Sequence, residues 1–302
     1  MRLFRWGLVA ATFAVLAAWC VGWFGAWHPA FDSFGHFRIH LALLAIVGLA
    51  VLLRGRRLLG FASVLAVAVP TWLGLPGPSI GKHAGPLITV AQQNLRYANR
   101  DFGRIERVLR GARADVLLLQ EVGRTTRQAV DRLSDAFPHA VHCPHPRGWT
   151  GVSILSRLPL TGTGCGAVYG LAYAQLEVEG NSRTLVSVHA VWPWPHNQWK
   201  LFDILRPELQ GLPRPVIAAG DFNAAPWSAF VAAFGDATGT AVKSGSGPTW
   251  SPIGHTTGFV GGGLSLDHVL SGCPGDVVRV KPLPRIGSDH RGRVATIRVD
   301  TC

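Results

Sequence analysis

The hydrophobic pattern divides the chain in two. Up to about residue 75 the apolar positions run almost without interruption; beyond about 87, short apolar runs alternate with stretches whose apolar positions recur at helical spacing. Residues 8–27 form a 20-residue run without a charge, long enough to cross a bilayer. Residues 35–53 give a second run, begun through a polar patch with His36 and Arg38, and residues 58–75 a third. Pro70 predicts a bend in the third, because proline removes a backbone donor. Trp19, Trp23, Trp27 and Trp72 fit interfacial positions near helix ends. The pattern thus predicts three transmembrane helices within residues 1–76. Two further spans after the first argue against a cleaved signal peptide. Residues 77–86, rich in Pro and Gly, read as a short linker.

The remainder, 87–302, alternates strand and helix patterns. Strands are expected at 87–92 (ending at Asn94), 116–120, 152–155, 173–178, 185–188, 216–219, 266–270, 277–280 and 294–299. Helices are expected at 102–113, where Asp101 supplies the cap, at 125–137 and at 198–209. Ala224-Ala225-Pro226-Trp227-Ser228 predicts a helix start with Pro226 in its first turn. Many strands with intervening helices mean a layered α/β or α+β domain.

Charge adds an orientation. Arg2 and Arg5 precede the first span, and Arg54, Arg56 and Arg57 lie between the second and third; the loop between the first and second has only Arg38, offset by Asp32. The positive-inside bias puts the N-terminus in the cytoplasm and, after three crossings, the domain outside it. The formal net charge is +12, and residues 86–302, with 22 bases and 16 acids, carry half of it. That excess suits an anionic substrate or an anionic membrane surface. No compact Lys/Arg run marks nucleic acid. Apart from His40 the spans show no polar group for an ion path, so an anchor is a simpler reading than a transporter.

The candidate chemistry sits at predicted strand ends. Asn94 follows the first strand, Glu121 the second, and His189 the strand at 185–188. Gly220-Asp221-Phe222-Asn223 follows a buried apolar strand, Asp267 lies in Leu266-Asp267-His268-Val269, and Asp289-His290 in Ser288-Asp289-His290. Each has an ordinary explanation: a turn cap, a solvated helix start, a hydrogen-bonded core histidine. Together they place acids, amides and imidazoles where α/β sheets gather active groups.

These motifs, in this order, resemble the endonuclease/exonuclease/phosphatase superfamily of DNase I-like fold. Gln93-Asn94, Leu119-Gln120-Glu121-Val122, the strand Gly151-Val152-Ser153-Ile154-Leu155-Ser156-Arg157, Ser187-Val188-His189, Gly220-Asp221-Phe222-Asn223-Ala224, Leu266-Asp267-His268-Val269 and Ser288-Asp289-His290 carry the resemblance across 87–299. The three predicted spans resemble its bacterial membrane-anchored branch. The resemblance implies a four-layer α/β sandwich and divalent-metal-dependent hydrolysis of a phosphate ester, with Mg²⁺ the expected ion and Mn²⁺ the alternative. It implies Glu121, Asn94 and Asp289 as metal ligands and Asp221 as the base that orients or deprotonates water. Asn223 and His290 would contact the phosphate, Asp267 would orient His290, and His189 would act as electrostatic stabiliser or general acid. Arg157, Trp192 and Trp194 are the expected substrate contacts. The substrate is a phosphodiester of nucleic acid or of a lipid headgroup. A phosphomonoesterase of the same fold, or a catalytically silent binding module on a membrane anchor, are the alternatives. The location implied is the bacterial cell membrane, with the domain extracytoplasmic. His189 is followed by Ala190-Val191-Trp192-Pro193-Trp194-Pro195, a departure from the longer loops of nucleases in this superfamily.

Cys143, Cys165, Cys273 and Cys302 fall in the domain, where an oxidising compartment permits bridges. Four cysteines allow three connectivities. Cys143 with Cys165, flanking the strand at 151–156, is the favoured pair.

Overall fold

The computed structural model describes residues 2–75, 85–148, 150–245, 247–257 and 262–300. Most of the predicted linker, and Cys302, lie outside these residues. Four helices open the chain: α1 (Arg2–Val21), α2 (Pro29–His36), α3 (Arg38–Leu52) and α4 (Arg57–Leu73). Only α1 is by itself long and apolar enough to cross a membrane, over Leu3–Val21 with mean hydropathy 1.7. The second predicted span, 35–53, is α3 with the last two residues of α2, and the two helices are bent by 68°. The third, α4, is apolar but only 17 residues long, and it continues through Pro70. The expectation of three spanning helices is therefore corrected: among the described residues one helix meets the measure, or two if the bent pair counts as one span. The physical cause is length: α3 has 15 residues and meets α2 at a sharp break, and α4 has 17. At the turn after Val21, α2 folds back against the end of α1. A Cβ on Gly25 would lie 2.5 Å from Asp32 Oδ1, so glycine is needed for that close approach.

Trp19 packs inward. It is buried with Ala42, Ala45 and Val67 where α1, α3 and α4 meet, and its indole donates to Thr71 Oγ1 at 3.1 Å. Phe13, Leu43, Val47, Phe61 and Val69 point outward and are exposed. Asp32 and Arg38, read from sequence as loop charges, are buried.

Beyond Gly85 the chain runs β1 (Leu87–Asn94), α5 (Phe102–Gly111), β2 (Val116–Gln120), α6 (Arg127–Asp131), β3 (His139–Pro144), β4 (Gly151–Ser156), β5 (Leu160–Cys165), β6 (Leu171–Val178), β7 (Asn181–His189), α7 (Gln198–Gly211), β8 (Val216–Asp221), α8 (Ala229–Thr238), β9 (Ala241–Val242), α9 (Gly254–Thr257), β10 (Asp267–Ser271), β11 (Val277–Pro282) and β12 (Arg293–Arg298). They form two six-stranded mixed sheets, β11-β12-β1-β2-β4-β3 and β5-β6-β7-β8-β10-β9.

The two central strands are apolar on both faces, as strands covered on both sides must be. In β2, Val116 and Leu118 enter the core between the sheets, with Ile88, Ile154, Leu185, Ile217 and Val269; Leu117 and Leu119 turn outward under Ile105 and Leu109 of α5 and Leu133 and Phe137. In β8, Ile217 and Ala219 face the inner core, while Val216 and Ala218 pack beneath Phe202 of α7 and Phe230 and Phe234 of α8. The result is the four-layer order helix, sheet, sheet, helix. Asp101 caps α5 by accepting from Arg104 N–H at 3.2 Å. Two expectations are corrected. The 125–137 helix contracts to α6 followed by turns, and α8 starts at Ala229, with Ser228 rather than Pro226 opening it: Ser228 Oγ accepts from Val231 N–H at 3.1 Å. Cys143 and Cys165 form a disulfide joining β3 to β5, so one edge of each sheet is clipped to the other.

Candidate active site

Strand register brings the acids together. His189 of β7 lies opposite Asp221 of β8 in a parallel pairing, and Asp221 lies opposite Asp267 of β10 in an antiparallel one. Three adjacent strands thus place His189, Asp221 and Asp267 in one row. In the other sheet, Asn94 ends β1 beside Gln120 at the end of parallel β2, and Glu121 follows. The two sheets present these ends at the same edge of the sandwich. Gly220 is required there, because a Cβ would collide with the Val188 carbonyl oxygen. Glu121 (φ 56°) and Asn223 (φ 46°) adopt left-handed backbone, which non-glycine residues seldom do and which clusters at functional sites.

Asn94 joins the two sheets chemically. Its Nδ2 donates to Glu121 Oε1 at 2.9 Å and to Asp221 Oδ2 at 3.0 Å, and its Oδ1 accepts from Arg96 N–H at 2.9 Å. Glu121 Oε2 accepts from Tyr97 N–H at 2.7 Å. His189 Nε2 lies 3.9 Å from Glu121 Oε1 and 3.8 Å from Asp221 Oδ2. Across the row, His290 Nε2 faces Asp221 Oδ2 at 3.5 Å and its Nδ1 meets Asp267 Oδ2 at 2.9 Å. The side chains of His189 and Glu121 are 19% and 17% exposed, whereas Asp221 is 1% exposed, so the first two stand at the mouth and Asp221 behind them.

Burial sets the electrostatics. It pushes Asp221 up to about 6, opposed by His290 and reinforced by the Asp267 charge. Burial alone would depress His290, but the carboxylates of Asp267 and Asp221 and the Asp267 hydrogen bond reverse this and raise it to about 10. His290 is therefore an imidazolium at neutral pH, flanked by two acids. His268, next to Asp267 and fully buried, is lowered to about 4 by burial; it is neutral and contacts Ala224 O at 2.7 Å. Asp221, Asp267 and His290 offer ligand atoms within 4.8 Å of one another. Within that trio His290 Nδ1 is 2.9 Å from Asp267 Oδ2, so the imidazole is held by one aspartate and faces the other.

The other expected residues are placed less uniformly. Asn223 donates from Nδ2 to Ala190 O at 2.7 Å, and its own N–H is taken by Asp221 Oδ1 at 2.9 Å. Asp289 Oδ2 accepts from the Trp250 indole at 3.2 Å, and among the described residues neither Asp289 nor Glu121 falls in the one cluster of three ligating groups. Arg157 is at the wrong end of the sheet. Because β4 runs antiparallel to β2, Ser156 pairs with Val116, and the Arg157 guanidinium covers Phe137 at 4.8 Å and donates to Ala114 O. Trp192 and Trp194 are half exposed, and Trp192 meets Trp250 edge-on at 5.8 Å.

Four further residues support the site, and three of them had no signal in the sequence. Gln93 Oε1 accepts from Gly292 N–H and its Nε2 donates to His290 O, tying the histidine loop to β1. Thr249 Oγ1 accepts the Leu266 and Asp267 amides at 3.0 Å each. Gln198 Nε2 donates to Val191 O and Phe222 O, linking the tryptophan loop to the Asp221 turn. Trp250 pairs with His290 through a backbone bridge. Gln93 alone was legible, as the neighbour of Asn94.

Two mixed sheets flanked by helices, with acids, amides and imidazoles gathered at one edge, form an α/β sandwich of DNase I-like fold. The chain belongs to the Endonuclease/Exonuclease/phosphatase family, whose profile matches residues 91–290. Among solved structures it is similar in fold to an endonuclease/exonuclease/phosphatase from Bacteroides vulgatus (12% identity, TM-score 0.58, 71% of this chain and 99% of that one). It is similar also to humanized D. rerio TDP2 (17%, TM-score 0.55, 70% and 99%). A third is the 3′ phosphatase NExo from Neisseria, bound to a product DNA hairpin (18%, TM-score 0.53, 69% and 98%). No curated protein matches the sequence significantly.

Proposed function

We propose that this chain is a membrane-anchored, divalent-metal-dependent phosphodiesterase whose domain lies outside the cytoplasm. The observation that carries the hydrolytic reading is the row His189–Asp221–Asp267 with His290 bridging the two aspartates. Asp221, ionised at neutral pH yet more basic than an ordinary aspartate, orients the attacking water and takes its proton. His290, kept charged by Asp267, neutralises the phosphoryl oxygens. His189, at the mouth, donates a proton to the leaving oxygen or stabilises its charge. Asn223 retains one amide N–H for a phosphate oxygen after bonding Ala190 O.

The donor set fits a hard cation. Glu121 supplies carboxylate oxygens, and Asn94 holds that carboxylate toward Asp221 by donating to both. Glu121, oriented by Asn94, would hold Mg²⁺ or Mn²⁺, which when bound supplies Lewis-acid stabilisation of charge on the phosphoryl group. The Asp289 carboxylate, engaged by Trp250, is left out of that set.

Three observations support the location. Arginines flank the N-terminus and the turn before α4. The connector between α1 and α3 contacts the domain, so both lie on one side of any membrane that α1 crosses. The Cys143–Cys165 disulfide suits an oxidising compartment. The anchor is α1, the helix long and apolar enough to cross a bilayer, and α3 and α4 add outward apolar faces beside it. Trp194 O accepts from Ser33 Oγ at 3.1 Å, which puts the aromatic loop beside the anchor; this favours a phosphoester carried in a headgroup layer. The test is a hydrolysis screen of the full-length protein with Mg²⁺ or Mn²⁺ against phospholipid vesicles, DNA, RNA and phosphomonoesters. Vesicle hydrolysis lost in Asp221→Asn is the expected result. Failure to cleave any phosphate ester would overturn the enzyme reading, and cleavage of nucleic acid alone would overturn the lipid one.

A further inference from the structure

A tether needs no contact with what it carries, yet the connector between the first two apolar helices is built into the catalytic domain. Ser228 Oγ satisfies only the Val231 amide of α8. The preceding two amides of that helix start, Ala229 and Phe230, donate to Asp32 Oδ1 at 2.8 Å and Oδ2 at 3.1 Å. Asp32 belongs to α2 and is 2% exposed. A carboxylate from a distant segment thus completes the N-terminal cap of α8, where a negative charge and two acceptors are favourable. The Trp227 indole donates to Gly35 O at 2.7 Å, and the Arg38 guanidinium lies 3.9 Å from the Trp23 ring and 5.6 Å from the Trp227 ring. His36 Nδ1 accepts from Ala225 N–H at 3.5 Å. Apart from the Arg38–Trp23 stack, these contacts fall on residues 225–230, the turn that leaves the site directly after Asp221 and Asn223.

The same turn reaches the acid row from the other side. Ala224 O accepts from His268 Nε2–H at 2.7 Å, and His268 adjoins Asp267. His36 Nε2 and His268 Nδ1 are buried without a hydrogen-bond partner. The bonds at their other nitrogens leave the first a donor and the second an acceptor. Two more domain loops are held by the same region: Ser33 Oγ donates to Trp194 O, and His40 Nε2 lies 2.7 Å from Gly262 O.

We infer that residues 28–38 are a positioning element of the active site: Asp32, Gly35 and His36 fix the turn at 224–230 and through it the placement of Asn223 and of the Asp267–His290 edge. The anchor and the catalytic domain are then one working unit, and the chain turns over phosphate esters fully only with the connector docked. This rests on the hydrolase reading but is independent of which phosphate ester is cleaved.

The test uses the full-length protein in detergent with Mg²⁺ and a soluble probe, bis(p-nitrophenyl) phosphate. Asp32→Ala should lower kcat about tenfold or more, since small displacements of catalytic groups cost up to about 10²-fold, while KM stays within about twofold. Asp32→Asn, which keeps one acceptor oxygen, should recover part of the loss. Hydrogen–deuterium exchange should speed up at Ala229 and Phe230 in Asp32→Ala and stay unchanged in β1. Trp227→Phe, which removes one N–H and keeps the ring, guards against a misfolded aspartate variant and should lower kcat several-fold. Wild-type kcat in Asp32→Ala and Trp227→Phe, or unchanged protection of the 229 and 230 amides, overturns the inference. If the wild-type chain cleaves nothing, the hydrolase reading fails, and the exchange measurement still decides whether the connector orders the turn.

Discussion

Asp267→Asn isolates the charge that keeps His290 protonated. Asparagine has the shape of aspartate, and its amide oxygen still accepts from His290 Nδ1–H, so geometry is retained and only charge is lost. The bond is 2.9 Å long, and both side chains are essentially shielded from water. A hydrogen bond to a charged group contributes about 1.5–3 kcal/mol and a neutral one about 0.5–1.5 kcal/mol. The substitution therefore costs the imidazolium about 1–2 kcal/mol, roughly one pKa unit and about 5–30-fold in any step that needs the charge. His290 is raised from 6.5 to about 10. Its charged form thus contributes stability in full below pH 6.5, and this is lost as pH rises through about 10. In Asp267→Asn that alkaline limb should move down by about one unit, not to the ordinary histidine value, because Asp221 remains. The assay is kcat against pH from 6 to 11 for the full-length protein, with thermal unfolding over the same range. An alkaline limb that does not move, with kcat within twofold of wild type, would refute the assignment of Asp267 as the keeper of the His290 charge.

Further outcomes follow from other parts of the structure. Glu121→Gln should raise the Mg²⁺ concentration for half-maximal activity about tenfold or more, measured by metal titration after EDTA treatment, with the wild type fully rescued by Mg²⁺. Removing the Cys143–Cys165 bridge, whose partners are 22 residues apart, should lower unfolding free energy by about 3 kcal/mol on loop-closure grounds; denaturant unfolding of Cys143→Ala/Cys165→Ala checks it. The double variant Trp192→Ala/Trp194→Ala should lose activity on phospholipid vesicles and keep it on the soluble diester. Equal loss on both would mean that these rings shape the site rather than meet lipid.

Much of the domain was legible because its signals are local. The short apolar runs at 116–120 and 216–219 read as strands covered on both faces, and the motifs at strand ends follow the family order, so Asn94, Glu121, His189, Asp221, Asp267 and His290 stand out in the sequence. The edge strands β3 and β5 were missed because half-exposed strands with glycines, such as Leu160–Cys165, carry little apolar alternation. Arg157 went astray for a different reason. Proximity to a motif strand says nothing of which end of an antiparallel strand a residue occupies, and that depends on pairing with β2.

What the amino-acid order determined by itself was the division into an apolar N-terminal part and a layered α/β domain, with the acids and imidazoles at strand ends. Hydrophobic periodicity and short motifs encode both within a few residues. Only the tertiary structure decided how those ends meet: that Asn94 spans both sheets, that His290 lies between two aspartates, and that Asp32 caps a helix almost two hundred residues away. The reason is physical. A side chain's burial, partner and charge state depend on what packs against it, and for Asp32 that is a helix end which no local pattern in residues 28–38 foretells.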